Sequence, residues 1–259
     1  MNTLTQKNWI AFRTILSKEV NRFMRIWTQT LLPPVVTITL YFIIFGKLIG
    51  SQINPIEGYS YMQYIVPGLT MMAVMTNAYS NTAASFFGAK FSKSIEEMLV
   101  SSMPSSIILL GYMVAGTIRG LLVGMIVLFI SFLFTHIPIR YPFVVISIAL
   151  LSAMVFALAG LINGMLAKTF DDISYIPTFI LTPLTYLGGV FYSIHQLHPF
   201  WQQISFFNPV FNIVNTFKYG TLGITDSSVV FGFLLILSLF FVLFLWSLHL
   251  LQKGIGLRQ

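Results

Sequence analysis

Long apolar stretches separated by short polar segments dominate the chain from Leu31 onward. A helix needs about 20 apolar residues to cross a hydrocarbon core about 30 Å thick. Six stretches reach that length, at about 31–50, 64–88, 106–134, 142–166, 173–192 and 229–251. Pro33 and Pro34 stand at the start of the first, where a missing backbone donor matters little. Arg119 falls inside the third. The pattern predicts an all-α integral membrane protein, a single transmembrane domain over residues 1–259 with six spanning helices.

The segments between and before these stretches carry their own patterns. Over residues 7–28, Trp9, Phe12, Leu16, Val20, Phe23 and Trp27 recur every three or four positions, while Lys7, Lys18, Arg22 and Arg25 lie mostly elsewhere around the helix. This is the pattern of an amphipathic helix at the membrane interface, equally compatible with packing on the chain's own spans. Residues 90–105 are too polar for membrane burial; Ser94 and Glu97 have capping-box spacing for a short cytoplasmic helix, which Pro104 stops. Residues 195–228 are too apolar for a free loop and predict short external helices that re-enter the outer leaflet, shielded there by protein.

Charge then fixes an orientation. Lys and Arg are retained on the cytoplasmic side of short loops. With both termini inside, the cytoplasmic segments hold Lys7, Arg13, Lys18, Arg22, Arg25, Lys90, Lys93, Lys168, Lys253 and Arg258, against Lys47, Arg140 and Lys218 outside. An even number of spans returns the C-terminus to the side of the N-terminus, which agrees. Composition supports the same class: 56% hydrophobic, 8% charged and a mean hydropathy of +0.85 leave too little polar surface for a soluble fold. The net charge of +7 is spread between apolar stretches, which argues against nucleic-acid binding. The absence of cysteine excludes disulfides, thiolate metal sites and cysteine nucleophiles. Early charges and no short apolar core argue against a cleavable signal peptide, so the mature chain is expected to begin at or near Met1.

Candidate chemistry is sparse. The nearest approach to a phosphate-binding loop, Gly164 to Thr169, has Ala167 where the second glycine belongs and follows no strand, so no ATPase motif is recognisable. His195 and His198 have i, i+3 spacing but no neighbouring carboxylate in the sequence, which argues against a metal site. Arg119 must face protein or water, as an anion-attracting group on a substrate pathway or as a structural cation bonded to neighbouring helices. Gly116, Gly120 and Gly124, with Gly160 and Gly164, are spaced for close helix approach. Thr70, Asn77 and Asn81 fall within about 40° around the second span, and Tyr175, Thr178, Thr182 and Thr185 follow helical spacing on the fifth. Both polar stripes are either interhelical hydrogen-bond ladders or the lining of a pathway.

The run GGVFY at 188–192, Pro199-Phe200-Trp201, Asn208-Pro209 and Lys218-Tyr219-Gly220 together resemble the C-terminal half of ABC-2 type export permeases. The segment IEEMLVSSMP at 95–104 resembles that family's coupling segment, and residues 13–27 its interface helix. The resemblance implies the membrane subunit of an ATP-binding cassette exporter in a bacterial inner membrane, working as a homodimer with two separate ATPase subunits. It implies no catalytic residue, cofactor or metal on this chain, with ATP and Mg held by the partner. It implies a central cavity lined by the second and fifth spans, hence by Thr70, Asn77, Asn81, Tyr175, Thr178, Thr182 and Thr185, with Arg119 a further candidate. It assigns Ser94, Glu96, Glu97, Met98 and Leu99 to the ATPase contact. The expected cargo is amphipathic: a lipid, a lipid-linked glycan or a drug-like molecule. An ion-coupled transporter would need intramembrane acids or His and often repeats, and a membrane enzyme would need clustered acids, bases or ligands; neither pattern is evident.

Overall fold

The computed structural model describes residues 3–50, 52–101 and 103–256; Met1 and Arg258, which figured in the expectations above, lie outside them. Among the described residues the protein is all-helical, with a lone antiparallel bridge between Ile56 and Tyr59. In chain order, α1 is Thr3–Arg25, α2 Trp27–Thr30 and α3 Leu32–Tyr41, which continues as a π-helical turn over Phe42–Ile49. Then come α4 (Tyr61–Phe91), α5 (Ser94–Val100), α6 (Ser105–Phe134) and α7 (Pro142–Leu166). The fifth apolar stretch is α8 (Phe170–Ile176), a π turn at Pro177–Leu181 and α9 (Thr182–Tyr186). A 3₁₀ turn at Ile194–Gln196, α10 (Pro199–Phe207), α11 (Pro209–Leu222) and α12 (Val229–Lys253) complete the chain.

Among the described residues, four helical segments are long and apolar enough to cross a bilayer: Trp27–Gly46, Ser105–Phe134, Pro142–Leu166 and Val229–Lys253. The helix α4 is longer, at 31 residues, but more polar, and it forms the axis of the bundle, buried on nearly every side between α6 and α7. Glycines permit this. A Cβ on Gly120 of α6 would lie 2.8 Å from the Val74 carbonyl oxygen, and one on Gly164 of α7 would lie 2.8 Å from that of Ala83. The backbones therefore touch where small residues repeat every four positions, as in other membrane helix pairs. Thr82 of α4 stitches one seam, donating to the Ala157 carbonyl of α7 at 2.7 Å.

One local expectation is corrected. The helix α5 begins at Ser94 instead of being capped by it: Lys93, with φ of 58°, is the N-cap, and the Ser94 hydroxyl donates to Ala89 O at 3.2 Å. The left-handed turn at Lys93 redirects the chain after α4, which leaves no geometry for the capping box, and α5 ends at Ser101 before Pro104 is reached. An acid outside every expected span is nonetheless buried. Glu19 of α1 is buried against α4, where it accepts from Ser85 and, at 3.2 Å, from Arg22 Nε.

Candidate functional site

The polar stripe of the fifth stretch faces open space. Thr178, Thr182 and Thr185 line a cleft of about 180 Å³ together with Tyr41 of α3 and with Met72 and Thr76 of α4. Thr182 and Thr185 donate their hydroxyl protons to carbonyls of their own segment, Pro177 at 2.9 Å and Leu181 at 2.7 Å. Their oxygens remain as acceptors beside apolar walls. Tyr175 stacks on Phe179 at 5.9 Å between centroids, and both rings, with Tyr186, are exposed along the outer face of the same segment. This segment packs sparsely on the bundle, so a long aromatic face is left without a partner inside one chain.

The second stripe points the other way. Thr70, Asn77 and Asn81 are buried within the chain. Thr70 donates to Val66 O at 2.8 Å and Asn77 to Ala73 O at 3.0 Å, while Asn81 Oδ1 accepts from Arg22 Nη2 at 2.9 Å and from Arg119 Nη1 at 3.4 Å. Arg119 Nη2 reaches Thr30 O at 3.3 Å and Asn77 Oδ1 at 3.5 Å. The two stripes are thus not brought together, and Arg119 joins the buried one. The α4 residues in the cleft, Met72 and Thr76, were missed by the sequence reading. The signal was present: Met72, Thr76, Ser80, Ala84 and Gly88 repeat every four residues, and all five remain at least partly exposed on α4.

At the other end of the bundle, α1 and α5 flank a second groove of about 400 Å³, with Thr14, Lys18, Ser94, Glu97, Met98 and Met103 in its walls. Glu96 and Glu97 are exposed, Met98 and Leu99 half-buried, and Val100 stands out at 89% exposure, while Ile95 anchors α5 inward. Nearby, Lys90 is buried and donates to Met165 O at 3.0 Å and Ala167 O at 2.6 Å, closing two end carbonyls of α7. In the following loop the backbone N–H groups of Lys168 and Thr169 donate to the exposed Asp172 carboxylate and hold it below the usual carboxylate range.

The two histidines before α10 have separate contacts. His195 Nε2 lies 3.6 Å from Asp226, a carboxylate that the sequence spacing did not reveal, whereas His198 Nδ1 accepts the N–H of Phe200 at the start of α10. Lys218, counted as an external charge, is buried at 3% exposure; it donates to Gly189 O at 2.7 Å and sits 3.6 Å from the Tyr64 ring centroid.

This geometry offers no clustered acid–base constellation in the cleft; it offers helices, a cleft and a docking groove. The family model of ABC-2 type transporters matches residues 10–222. The chain belongs to the ABC-2 type transporter family. It is 55% identical over 254 residues to the inner membrane transport permease YadH of Escherichia coli (strain K12), covering 97% of this chain and 98% of the relative. It is 25% identical over 188 residues to nodulation protein J of Rhizobium leguminosarum bv. viciae, covering 71% of each chain. Against nodulation protein J of Neorhizobium galegae the figures are 22% over 217 residues, 83% of this chain and 82% of the relative. The ABC-2 chain is therefore a multi-pass transport permease and not an enzyme in its own right, in a family whose members generally work with ATP-binding cassette ATPases.

Proposed function

We propose that the chain is the membrane half of an ATP-driven exporter, a six-span permease with both termini in the cytoplasm of a bacterial inner membrane. Two copies pair across the fifth-stretch face, and each docks one ATPase subunit that holds ATP and Mg. The observation that carries this reading is the cleft of Thr178, Thr182 and Thr185 against Met72 and Thr76, open beside an aromatic face that one chain leaves uncovered. Pairing two such clefts gives a central path walled by apolar rings and hydroxyl oxygens. Cargo suited to that lining is amphipathic and neutral or anionic, such as a lipid, a lipid-linked glycan or a drug-like molecule. Thr70, Asn77 and Asn81 contribute by fixing α4, whose opposite face carries Met72 and Thr76, and Arg119 is part of that scaffold.

At the cytoplasmic end the groove between α1 and α5, walled in part by Ser94, Glu97 and Met98, receives the ATPase together with the neighbouring Glu96 and Leu99 of α5. The relative named as an inner membrane transport permease supports the location. The chain has no cysteine, so single cysteines report cleanly. Phe179→Cys is expected to cross-link between copies in membranes, whereas Val230→Cys, exposed at the start of α12, is not. Cross-linking at Val230→Cys with none at Phe179→Cys refutes the pairing.

A further inference from the structure

The buried cluster joining α1, α4 and α6 is rich in donors and poor in acceptors. Arg22 and Arg119 both direct guanidinium N–H groups at one oxygen, Asn81 Oδ1. The cluster's carboxylate, Glu19, is engaged by Arg22 Nε and the Ser85 hydroxyl, and Arg119 makes no ion pair with it. The acceptors of Arg119 are neutral and distant, at 3.3 to 3.5 Å. Two more buried donors, Arg119 Nε and Asn81 Nδ2, have no acceptor among the described residues. Buried donors normally find acceptors, and a guanidinium outside water needs an anion. Two guanidiniums against one carboxylate leave this cluster a net positive charge.

Its place in the fold says where an anion comes from. Arg119 is the fifteenth of the 30 residues of α6 and Asn81 the twenty-first of the 31 of α4, so the cluster lies along these helices and not at their ends, and what connects it to the membrane surface is α1 and the start of the first apolar span. Thr30, whose carbonyl receives Arg119, lies less than a turn beyond Trp27, which is 54% exposed. Exposed tryptophan marks the headgroup level of a membrane protein. The Arg22 side chain is 33% exposed, so the cluster opens outward along α1.

We propose that Arg22 and Arg119 form a binding site for a phosphate oxyanion, supplied by the headgroup of a phospholipid seated beside α1. Guanidinium groups match phosphate oxygens with paired N–H donors, and phosphate oxygens meet the acceptor deficit at Arg119 Nε and Asn81 Nδ2. The choice of the cytoplasmic leaflet rests on the topology proposed above; the phosphate chemistry does not.

The test uses the purified full chain, delipidated in a neutral detergent, with thermal unfolding as the readout. Phosphatidylglycerol at about ten times its dissociation constant raises the midpoint by about 4 °C, and diacylglycerol with the same chains does not. Inorganic phosphate at millimolar concentration gives a smaller shift; a shift equal to that of the lipid assigns the site to free phosphate and overturns the lipid source. Arg22→Gln and Arg119→Gln each remove the phosphatidylglycerol shift. Because Arg119→Gln risks misfolding, Asn81→Asp supplies the deciding variant: a carboxylate between the two guanidiniums raises the lipid-free midpoint and abolishes the lipid response. Equal shifts with phosphatidylglycerol and diacylglycerol, or an Asn81→Asp chain that is less stable and still responds to lipid, overturn the proposal.

Discussion

Adding one methyl group at Gly160 tests the packing that positions α4. A Cβ there falls on the Tyr79 carbonyl oxygen and lies 2.5 Å from Thr82 Oγ1 and 2.9 Å from the Tyr79 carbonyl carbon. Ordinary contact needs about 3.5 Å, so α7 must retreat from α4 by roughly 1 Å. The obstructing atoms include backbone, which cannot rotate away. Retreat stretches the Thr82 to Ala157 hydrogen bond from 2.7 Å, a loss of about 0.6 kcal/mol for a typical bond in a membrane protein. Overpacking adds about 1–3 kcal/mol. Less alanine's gain in helix propensity, Gly160→Ala is therefore expected to destabilise by about 2 kcal/mol, near 4–8 °C in midpoint by the scaling of soluble domains. Gly88→Ala is the matched control: nothing lies within 4 Å of a Cβ there, and alanine exceeds glycine in helix propensity by up to about 1 kcal/mol. Thermal unfolding of both in one detergent decides, and equal shifts, or a larger loss at Gly88, refute the backbone contact.

Lys90→Met leaves the Met165 and Ala167 carbonyls without their donor and is expected to lower stability by about 2 kcal/mol, read by thermal unfolding. Thr182→Leu, at an exposed position whose hydroxyl bonds only its own segment, keeps the midpoint but changes movement of a fluorescent phospholipid analogue in vesicles holding the ATPase complex. Asn77→Leu removes a buried acceptor of Arg119 and lowers stability by about 1 kcal/mol; an unchanged midpoint there contradicts the scaffold role of this stripe. Reversing both Glu96 and Glu97 to Lys, on the exposed face of α5, abolishes co-purification of the ATPase while the isolated permease unfolds at its usual temperature.

Apolar length made most of the fold legible: the stretches expected at 106–134 and 142–166 are α6 and α7 within a residue at each end. Short helices within 195–228 were expected because that segment is too apolar for a free loop, and α10 and α11 lie there, each with a proline at its first position. What a period does not reveal is the neighbour. Thr70, Asn77 and Asn81 do share one face of α4, but a helix buried on nearly all sides has several faces against protein, and theirs meets α1 and α6. Glu19 lay outside every apolar stretch, so its burial depended on how deeply α1 packs, seen where a Cβ on Gly111 would meet Ile15 Cγ2 at 2.6 Å. The Lys218 contact with Gly189 joins positions 29 residues apart, and its buried cation is stabilised by a carbonyl and a ring that no local spacing indicates.

The most direct test of the central claim is ATP hydrolysis by the permease reconstituted alone and with the ATP-binding cassette subunit that co-purifies with it. The account predicts no hydrolysis above the lipid background for the permease alone. It predicts turnover in the complex that is lost when the Glu96 and Glu97 reversal is introduced. Robust hydrolysis by the isolated chain, or partner turnover indifferent to the permease and to that reversal, would contradict it.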